Sequence, residues 1–277
     1  MATMDDLQLP LGQTTVYPDR YDPGQLRAVP RQLKRREIGL DGERLPFDGF
    51  DLWNAWELSW LNRRGKPVVA LGLIRFDCRS RNLVESKSLK LYLNSFNQSR
   101  FDSMEQVRRT IAADLGKAAD GAVGVELFPP DAEGPFALKR LPGECIDGID
   151  IDIDCYSLDA GLLAGATSDR VVERELHSHL LKSNCLVTGQ PDWASVLIRY
   201  RGPEIDTEAL LRYLVSFRQH NEFHEQCVER IFADLRRHCR PQALTVLARY
   251  TRRGGLDINP FRSDFEEDID NFRLVRQ

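Results

Sequence analysis

From Trp53 onward the chain falls into regular alternations of apolar and polar positions. Segments 53–61 and 67–77 (PVVALGLIRFD) carry the β-branched and apolar density of strands, and NRRGK between them reads as a hairpin turn. Two helical stretches follow. In 87–97, Leu89, Tyr92, Leu93 and Phe96 recur at i, i+3, i+4 and i+7, with Ser86 placed as the N-cap. From Ser103 to about Lys117, Val107, Ile111 and Leu115 stand four apart, and Ser103 and Gln106 are in capping-box register. Segment 122–128 (AVGVELF) reads as a strand, and PPDAEGP at 129–135 is the clearest breaker in the chain.

Beyond the breaker the same order returns. GIDIDIDCY (148–156) alternates isoleucine and aspartate at period two, which predicts a strand with one dry and one wet face. VVERELHSHLL (171–181) and WASVLIRYRG (193–202) predict further strands. Leu210, Leu214 and Phe217 line one helix, Val228, Ile231, Phe232 and Leu235 the next, and LTVLARYT (244–251) is a strand. Strand–strand–helix–helix–strand thus occurs twice, which indicates an α+β fold rather than a wound βαβ sheet. The expected division is 1–131 and 132–277. Residues 1–45 are polar, rich in proline and arginine, and without sustained period; they read as a lead-in arm lying on the body or on a partner.

Composition narrows the function classes. A chain of 277 residues with 38 Lys+Arg against 42 Asp+Glu, net charge −4, has no basic excess to neutralise a phosphate backbone, so direct nucleic-acid binding is not expected. No apolar run approaches the ~20 residues of a bilayer span, and the start lacks a secretory pattern, so a cytoplasmic location is expected. Cys78, Cys145, Cys155, Cys185, Cys227 and Cys239 are widely spaced without a CxxC pair and read as free thiols.

Several familiar signatures fail. There is no GxGxxG after a strand and no GxxxxGK[ST]. HEQCV (224–228) begins like a zinc-protease helix, but Val228 stands where the second histidine would be. IDIDIDC lacks the glycine and closing glutamate of a calcium loop. Glu175, His177 and His179 can share a strand face as metal ligands, but a solvated strand edge is the plainer account, and no metal is expected.

Four segments carry candidate chemistry. In SNCLVTGQPDW (183–193) a Gly- and Pro-containing turn can bring Cys185 and Asp192 together as nucleophile and proton shuttle. A thiol at its ordinary pKa of about 8.5 is only a few per cent thiolate at neutral pH, so such use needs a neighbouring base or positive field. In FRQHNEFHEQCVERI (217–231), His224 and Glu225 stand at a helix junction. There a buried glutamate suits the paired N–H donors of a guanine-like ring, or simply caps the helix. In LVESKSLKLYLNSFNQ (83–98), Glu85, Ser86 and Lys87 occupy a strand-to-helix junction suited to an anion, or the start of an ordinary amphipathic helix. RYTRRGGLDINPFRS (249–263) packs arginines before a Gly-Gly turn, as a phosphate clamp or a basic hairpin tip.

Taken together, ESKSLKLYLNSFNQ, SNCLVTGQPDW, FRQHNEFHEQCVERI and YTRRGGLDINPFRS resemble, in order and over about residues 50–277, the signature of the QueF nitrile oxidoreductases. These are NADPH-dependent reductases of 7-cyano-7-deazaguanine in queuosine tRNA-modification biosynthesis. The separation of ESKS from the cysteine resembles the longer branch of the family, which implies two tandem tunnelling-fold (T-fold) modules, antiparallel sheets each with a helix pair, and a homodimer. The resemblance implies the following roles. Cys185 adds to the nitrile carbon to give a thioimide, and Asp192 protonates the nitrile nitrogen. Glu225 with His224 holds the deazaguanine ring, and Val84, Glu85 and Ser86 complete the substrate pocket. Ser86 and Lys87 from one module, with Arg253 and Gly254 from the other, hold NADPH, with Arg252 as an additional phosphate contact. Nitrile to amine is a four-electron reduction, so two hydrides are needed: the thioimide takes one, thiolate leaves, and the imine takes the second.

Two rival classes share these residues. A cysteine hydrolase would let water attack the thioimide and release ammonia without NADPH. A binding module of the same fold would hold a purine or pterin through Glu225 without chemistry, and would need neither Cys185 nor Asp192.

Overall fold

A computed structural model of the protein describes residues 17–40, 44–132 and 134–277. The chain separates into two compact units. The first comprises the described residues of 1–43 and 50–133 together with Arg252–Asp257; the second comprises Arg44–Gly49, Gly134–Thr251 and Ile258–Gln277. The sequence boundary at 131/132 lies beside this division, but two short segments depart from chain order. Residues 44–49 belong to the second unit because Phe47 packs edge-on against Phe232, with ring centroids 5.2 Å apart, and under the Arg262 guanidinium. Residues 252–257 belong to the first because Asp257 accepts hydrogen bonds from Asn54 Nδ2 (2.7 Å) and Trp56 Nε1 (2.5 Å).

In the first unit the chain forms β1 (Ala28–Pro30), α1 (Arg31–Arg35), β2 (Asp48–Leu61), β3 (Pro67–Asp77), β4 (Asn82–Val84), α2 (Ser86–Asn94), α3 (Met104–Ala119) and β5 (Val123–Phe128). β5, β3 and β2 pair antiparallel in that order, and β1 pairs antiparallel with β4. The arm expected over 1–45 is therefore part of the fold from Ala28 onward; residues 1–16 and 41–43 lie outside the described residues. α3 buries Val107, Ile111, Leu115 and Ala119, the stripe read from the sequence, and Ser103 Oγ accepts from Gln106 N (3.1 Å) as its cap. The N-cap of α2 is Glu85 rather than Ser86: its carboxylate accepts from Lys87 N (2.8 Å) and Ser88 N (2.7 Å).

The second unit adds β6 (Glu144–Cys145), β7 (Thr167–Ser178), β8 (Lys182–Asn184), β9 (Pro191–Ile205), α4 (Thr207–Ser216), α5 (His224–His238), β10 (Ala243–Tyr250) and β11 (Leu256–Ser263). β11, β10, β9 and β7 are antiparallel neighbours, β8 pairs with β9, and β6 alone is parallel, along β7. The fold is thus α+β with predominantly antiparallel strands. The strand expected at 148–156 does not form: its exposure alternates, but among the described residues no strand pairs with it, and a period of two gives no ladder without a partner. All six cysteines are free, and among the described residues no helix is long and apolar enough to cross a membrane.

The second unit buries an ion pair. Arg262 on β11 donates from Nε (3.1 Å) and Nη2 (2.8 Å) to Glu229 Oε1 on α5, with both side chains essentially inaccessible. Removing one partner leaves a desolvated charge, which typically costs about 3–5 kcal/mol. Glu229→Ala is expected to lower unfolding stability by about that amount in denaturant titration, and a change under about 1 kcal/mol would refute the assignment.

Candidate active site

In the second unit the SNCLVTGQPDW segment is a hairpin. β8 and β9 pair with Ser183 opposite Asp192 and Asn184 opposite Pro191. Cys185 opens the connecting turn: its N–H donates to Gln190 O (2.8 Å), and its carbonyl accepts from Gly189 N (3.0 Å). Gly189 has φ +66°, a conformation that glycine adopts without strain. Because side chains alternate along each strand, 183 and 185 on one arm share a face of the ribbon with 190 and 192 on the other. The cysteine and the aspartate thus lie diagonally on one face, Cys185 half-buried and Asp192 buried.

The other edge of this hairpin is taken by the segment before α5. Asn184 N donates to His220 O (2.8 Å), Glu222 N donates to Asn184 O (3.0 Å), and Asn184 Nδ2 reaches Asn221 Oδ1 (3.0 Å). That register delivers the start of α5 to Asp192: His224 Nε2 stands 3.5 Å from Asp192 Oδ1. The His224 ring also meets Tyr250 edge-on at 4.1 Å. Glu225 is buried in the first turn of α5, where the helix dipole favours a carboxylate. Cys185, Asp192, His224 and Glu225 are therefore gathered in one unit by two short backbone ladders. Trp193, next in sequence to Asp192, is 39% exposed, with Arg218 over its ring; Asp192 itself is buried.

Sequence reasoning did not find what braces this cluster. Buried Glu222 accepts a bidentate pair from Arg230 (Nε 3.0 Å, Nη2 2.6 Å) and lies 3.1 Å from His220 Nε2. Burial alone would push its pKa up, but the hydrogen bonds from His220 and Arg230 outweigh that and hold it below the usual glutamate range. Its signal in the sequence was Glu222 and Arg230 eight residues apart across a helix start, a spacing with no distinctive period. Cys227 lies fully buried nearby, its thiol pushed well up by burial, so it remains a neutral core group.

The first unit holds a second gathering, a cleft of about 300 Å³ lined by Lys87, Lys90 and Asn94 of α2, Glu57 of β2 and Gly254 and Gly255. β2 bulges between Ala55 and Leu58, and Trp56 N there donates to Gly255 O (2.9 Å). The 253–256 turn closes through Arg253 N to Leu256 O (2.8 Å), with φ +60° at Gly254 and +81° at Gly255, the two-residue hairpin geometry that calls for glycine. A Cβ on Gly254 would fall 3.2 Å from Lys90 Cδ, and one on Gly255 3.2 Å from Glu57 Cγ, so the bare backbone is what keeps this wall of the cleft open.

Arg253 and Gly254 thus stand in the same unit as Ser86 and Lys87, not in the other as the sequence suggested. Arg252 has its guanidinium 4.2 Å over the Trp56 ring, which engages it in stacking. Lys90 was missed, although i and i+3 on one helix face is the signal that pairs it with Lys87. Two ammonium groups and a glycine turn suit the phosphates of a dinucleotide. Val84 is buried in β4, and Glu85 is engaged as the α2 cap.

Residues 17–127 match the family described as "Nitrile reductase, 7-cyano-7-deazaguanine-reductase N-term", and residues 191–268 match "QueF-like protein". The chain is 59% identical over 269 residues to the NADPH-dependent 7-cyano-7-deazaguanine reductase of Azoarcus sp. (strain BH72), covering 97% of this chain and 95% of that one. With both family regions present and this identity across nearly the whole length, the chain belongs to the QueF family of 7-cyano-7-deazaguanine nitrile reductases.

Proposed function

We propose that this protein reduces the nitrile of 7-cyano-7-deazaguanine to the aminomethyl group at the expense of NADPH, in queuosine tRNA-modification biosynthesis. The observation that carries the reading is the hairpin of the second unit, where Cys185 shares a ribbon face with buried Asp192 and His224 stands 3.5 Å from that carboxyl. Cys185 Sγ adds to the nitrile carbon. The sulfur, reacting as thiolate, supplies the electron pair of the new S–C bond, one of the two C–N π pairs moves onto nitrogen as a lone pair, and Asp192 delivers a proton to that nitrogen, giving a covalent thioimide. Burial of Asp192 serves this step, because a proton held away from bulk water passes to the developing anion rather than to solvent. His224 returns the proton to Asp192 and, with Glu225, orients the ring; Val84, Glu85 and Ser86 complete the substrate contacts.

Lys87, Lys90, Arg253 and Gly254, with Ser86, would hold NADPH through its phosphates. When bound, NADPH supplies the two hydrides that a four-electron reduction requires. The antiparallel strands and helix pair of each unit support assignment of both to the tunnelling fold, the first (1–131) carrying ESKSLKLY and the second (132–277) carrying Cys185 and Asp192. Assembly as a homodimer and a cytoplasmic location rest on the family resemblance and on the absence, among the described residues, of a helix able to span a membrane. Product chromatography tests the chemistry. Incubation with the nitrile and NADPH is expected to yield the primary amine and no ammonia; amide or acid with ammonia would replace the reductase reading by hydrolysis.

A further inference from the structure

The sequence offers Glu175, His177 and His179 as a strand-face triad; in the fold Glu175 leaves it and Cys145 enters. Glu175 Oε1 accepts from Arg199 Nη2 (2.7 Å) and Nε (3.2 Å). β6 runs parallel to β7 with Cys145 paired directly to His177, so their side chains share a face, and His179 follows His177 at the strand period. The approach depends on Gly143: at φ +78°, a Cβ there would lie 2.2 Å from Glu175 O. One ligand atom from each of Cys145, His177 and His179 lies within 4.8 Å of the other two.

The rings are oriented as metal-binding imidazoles are. His177 Nδ1 is 2.9 Å from Pro142 O, a carbonyl that can only accept, so the neutral ring carries its hydrogen on Nδ1 and presents the Nε2 lone pair. His179 Nδ1 is 2.8 Å from Ser195 Oγ, and in the tautomer that donates to this hydroxyl its Nε2 is likewise the ligand. The Arg276 guanidinium also reaches Ser195 Oγ (2.9 Å), and its charge is offset by Asp147, which accepts from Ser178 Oγ (2.6 Å) and His179 N (2.9 Å). All three residues line a cleft of about 660 Å³ that also carries Lys139 and Arg140.

We propose that Cys145, His177 and His179 form a binding site for a zinc-type transition metal, separate from Cys185 and its partners and with the fourth position open to the cleft. One thiolate and two imidazoles are the donor set of an open zinc site. Tetrahedral coordination needs ligand atoms about 3.3–3.8 Å apart, so side-chain rotation by about an ångström closes the set. Binding replaces the S–H bond by a metal–sulfur bond and releases the thiol proton to solvent. Lys139, Arg140 and Arg276 would draw an anion, or a water as hydroxide, to the open position.

The test uses the full chain, stripped of metal and titrated anaerobically with cobalt(II). One equivalent is expected to produce a thiolate-to-cobalt charge-transfer band and the visible bands of a tetrahedral site, both displaced by zinc(II). The charge-transfer band is expected to vanish in Cys145→Ser and to persist in Cys185→Ser. His177→Ala should remove saturable binding, and Ser195→Ala should weaken it about 10–100-fold, as loss of an outer-shell partner does. Absence of the band in the parent chain, its survival in Cys145→Ser, or its loss in Cys185→Ser would each overturn the proposal.

Discussion

Cys185→Ala is expected to abolish nitrile-dependent oxidation of NADPH, lowering turnover on the order of 10⁴-fold or more, because the covalent route has no second nucleophile to fall back on. The fold should be indifferent. The turn at Cys185 is held by its own N–H and carbonyl, to Gln190 and from Gly189, and the thiol is half-buried, so truncation opens no core cavity. The decisive readout is therefore chemical. Mass spectrometry of the parent protein with nitrile alone should find one substrate-sized covalent adduct, and Cys185→Ala should have none while keeping its thermal transition. An adduct that persists in the alanine variant would move the nucleophile elsewhere. The other five cysteines make that outcome readable: Cys78, Cys227 and Cys239 are buried, and Cys145 and Cys155 belong to neither strand of the β8–β9 hairpin.

The second large effect is expected at Asp192. Asn at this position keeps the side-chain shape and the pairing with Ser183, but cannot give up a proton at neutral pH. Loss of a positioned proton donor typically costs about 10²–10⁴ in rate, and kcat should fall in that range with KM little changed. Adduct formation should slow by a similar factor, since protonation of the nitrile nitrogen accompanies S–C bond formation. If Asp192→Asn retained kcat within about threefold, the proton would have to come from another group and the role of His224 beside it would fall as well.

The parts of the fold that were legible are those whose signals are local. The β2–β3 hairpin announces itself through NRRGK, where Gly65 takes φ +82°, and α3 through a cap at Ser103 followed by a four-residue apolar period. β11 was not legible, because Asp257, Asn259 and Arg262 make it look like a wet loop. Each is buried against a partner distant in sequence: Asp257 against Asn54 and Trp56, Asn259 against Gln277 (2.7 Å) and Arg262 against Glu229. The error at 148–156 is the converse, since alternation is necessary for a half-buried strand but the partner decides whether one forms. Within the site, Cys185 and Asp192 were readable because a hairpin brings them together over seven residues. His224 reaches Asp192 only through the bridge between Asn184 and Asn221, which spans 37 residues and has no periodic trace. Glu222 and Cys145 were hidden for the same reason, each acquiring its role from a neighbour supplied by the fold, whereas Lys90 carried a local signal, three residues from Lys87 on one helix face.

The central claim, that the nitrile is reduced rather than hydrolysed or merely bound, is tested most directly by the stoichiometry of cofactor use. Protein mixed with a limiting amount of 7-cyano-7-deazaguanine and excess NADPH is followed by the absorbance of the reduced nicotinamide. Two hydrides per nitrile predict a loss of two equivalents of NADPH per equivalent of substrate, and no loss when the nitrile is omitted. An unchanged absorbance in the presence of both would contradict the account.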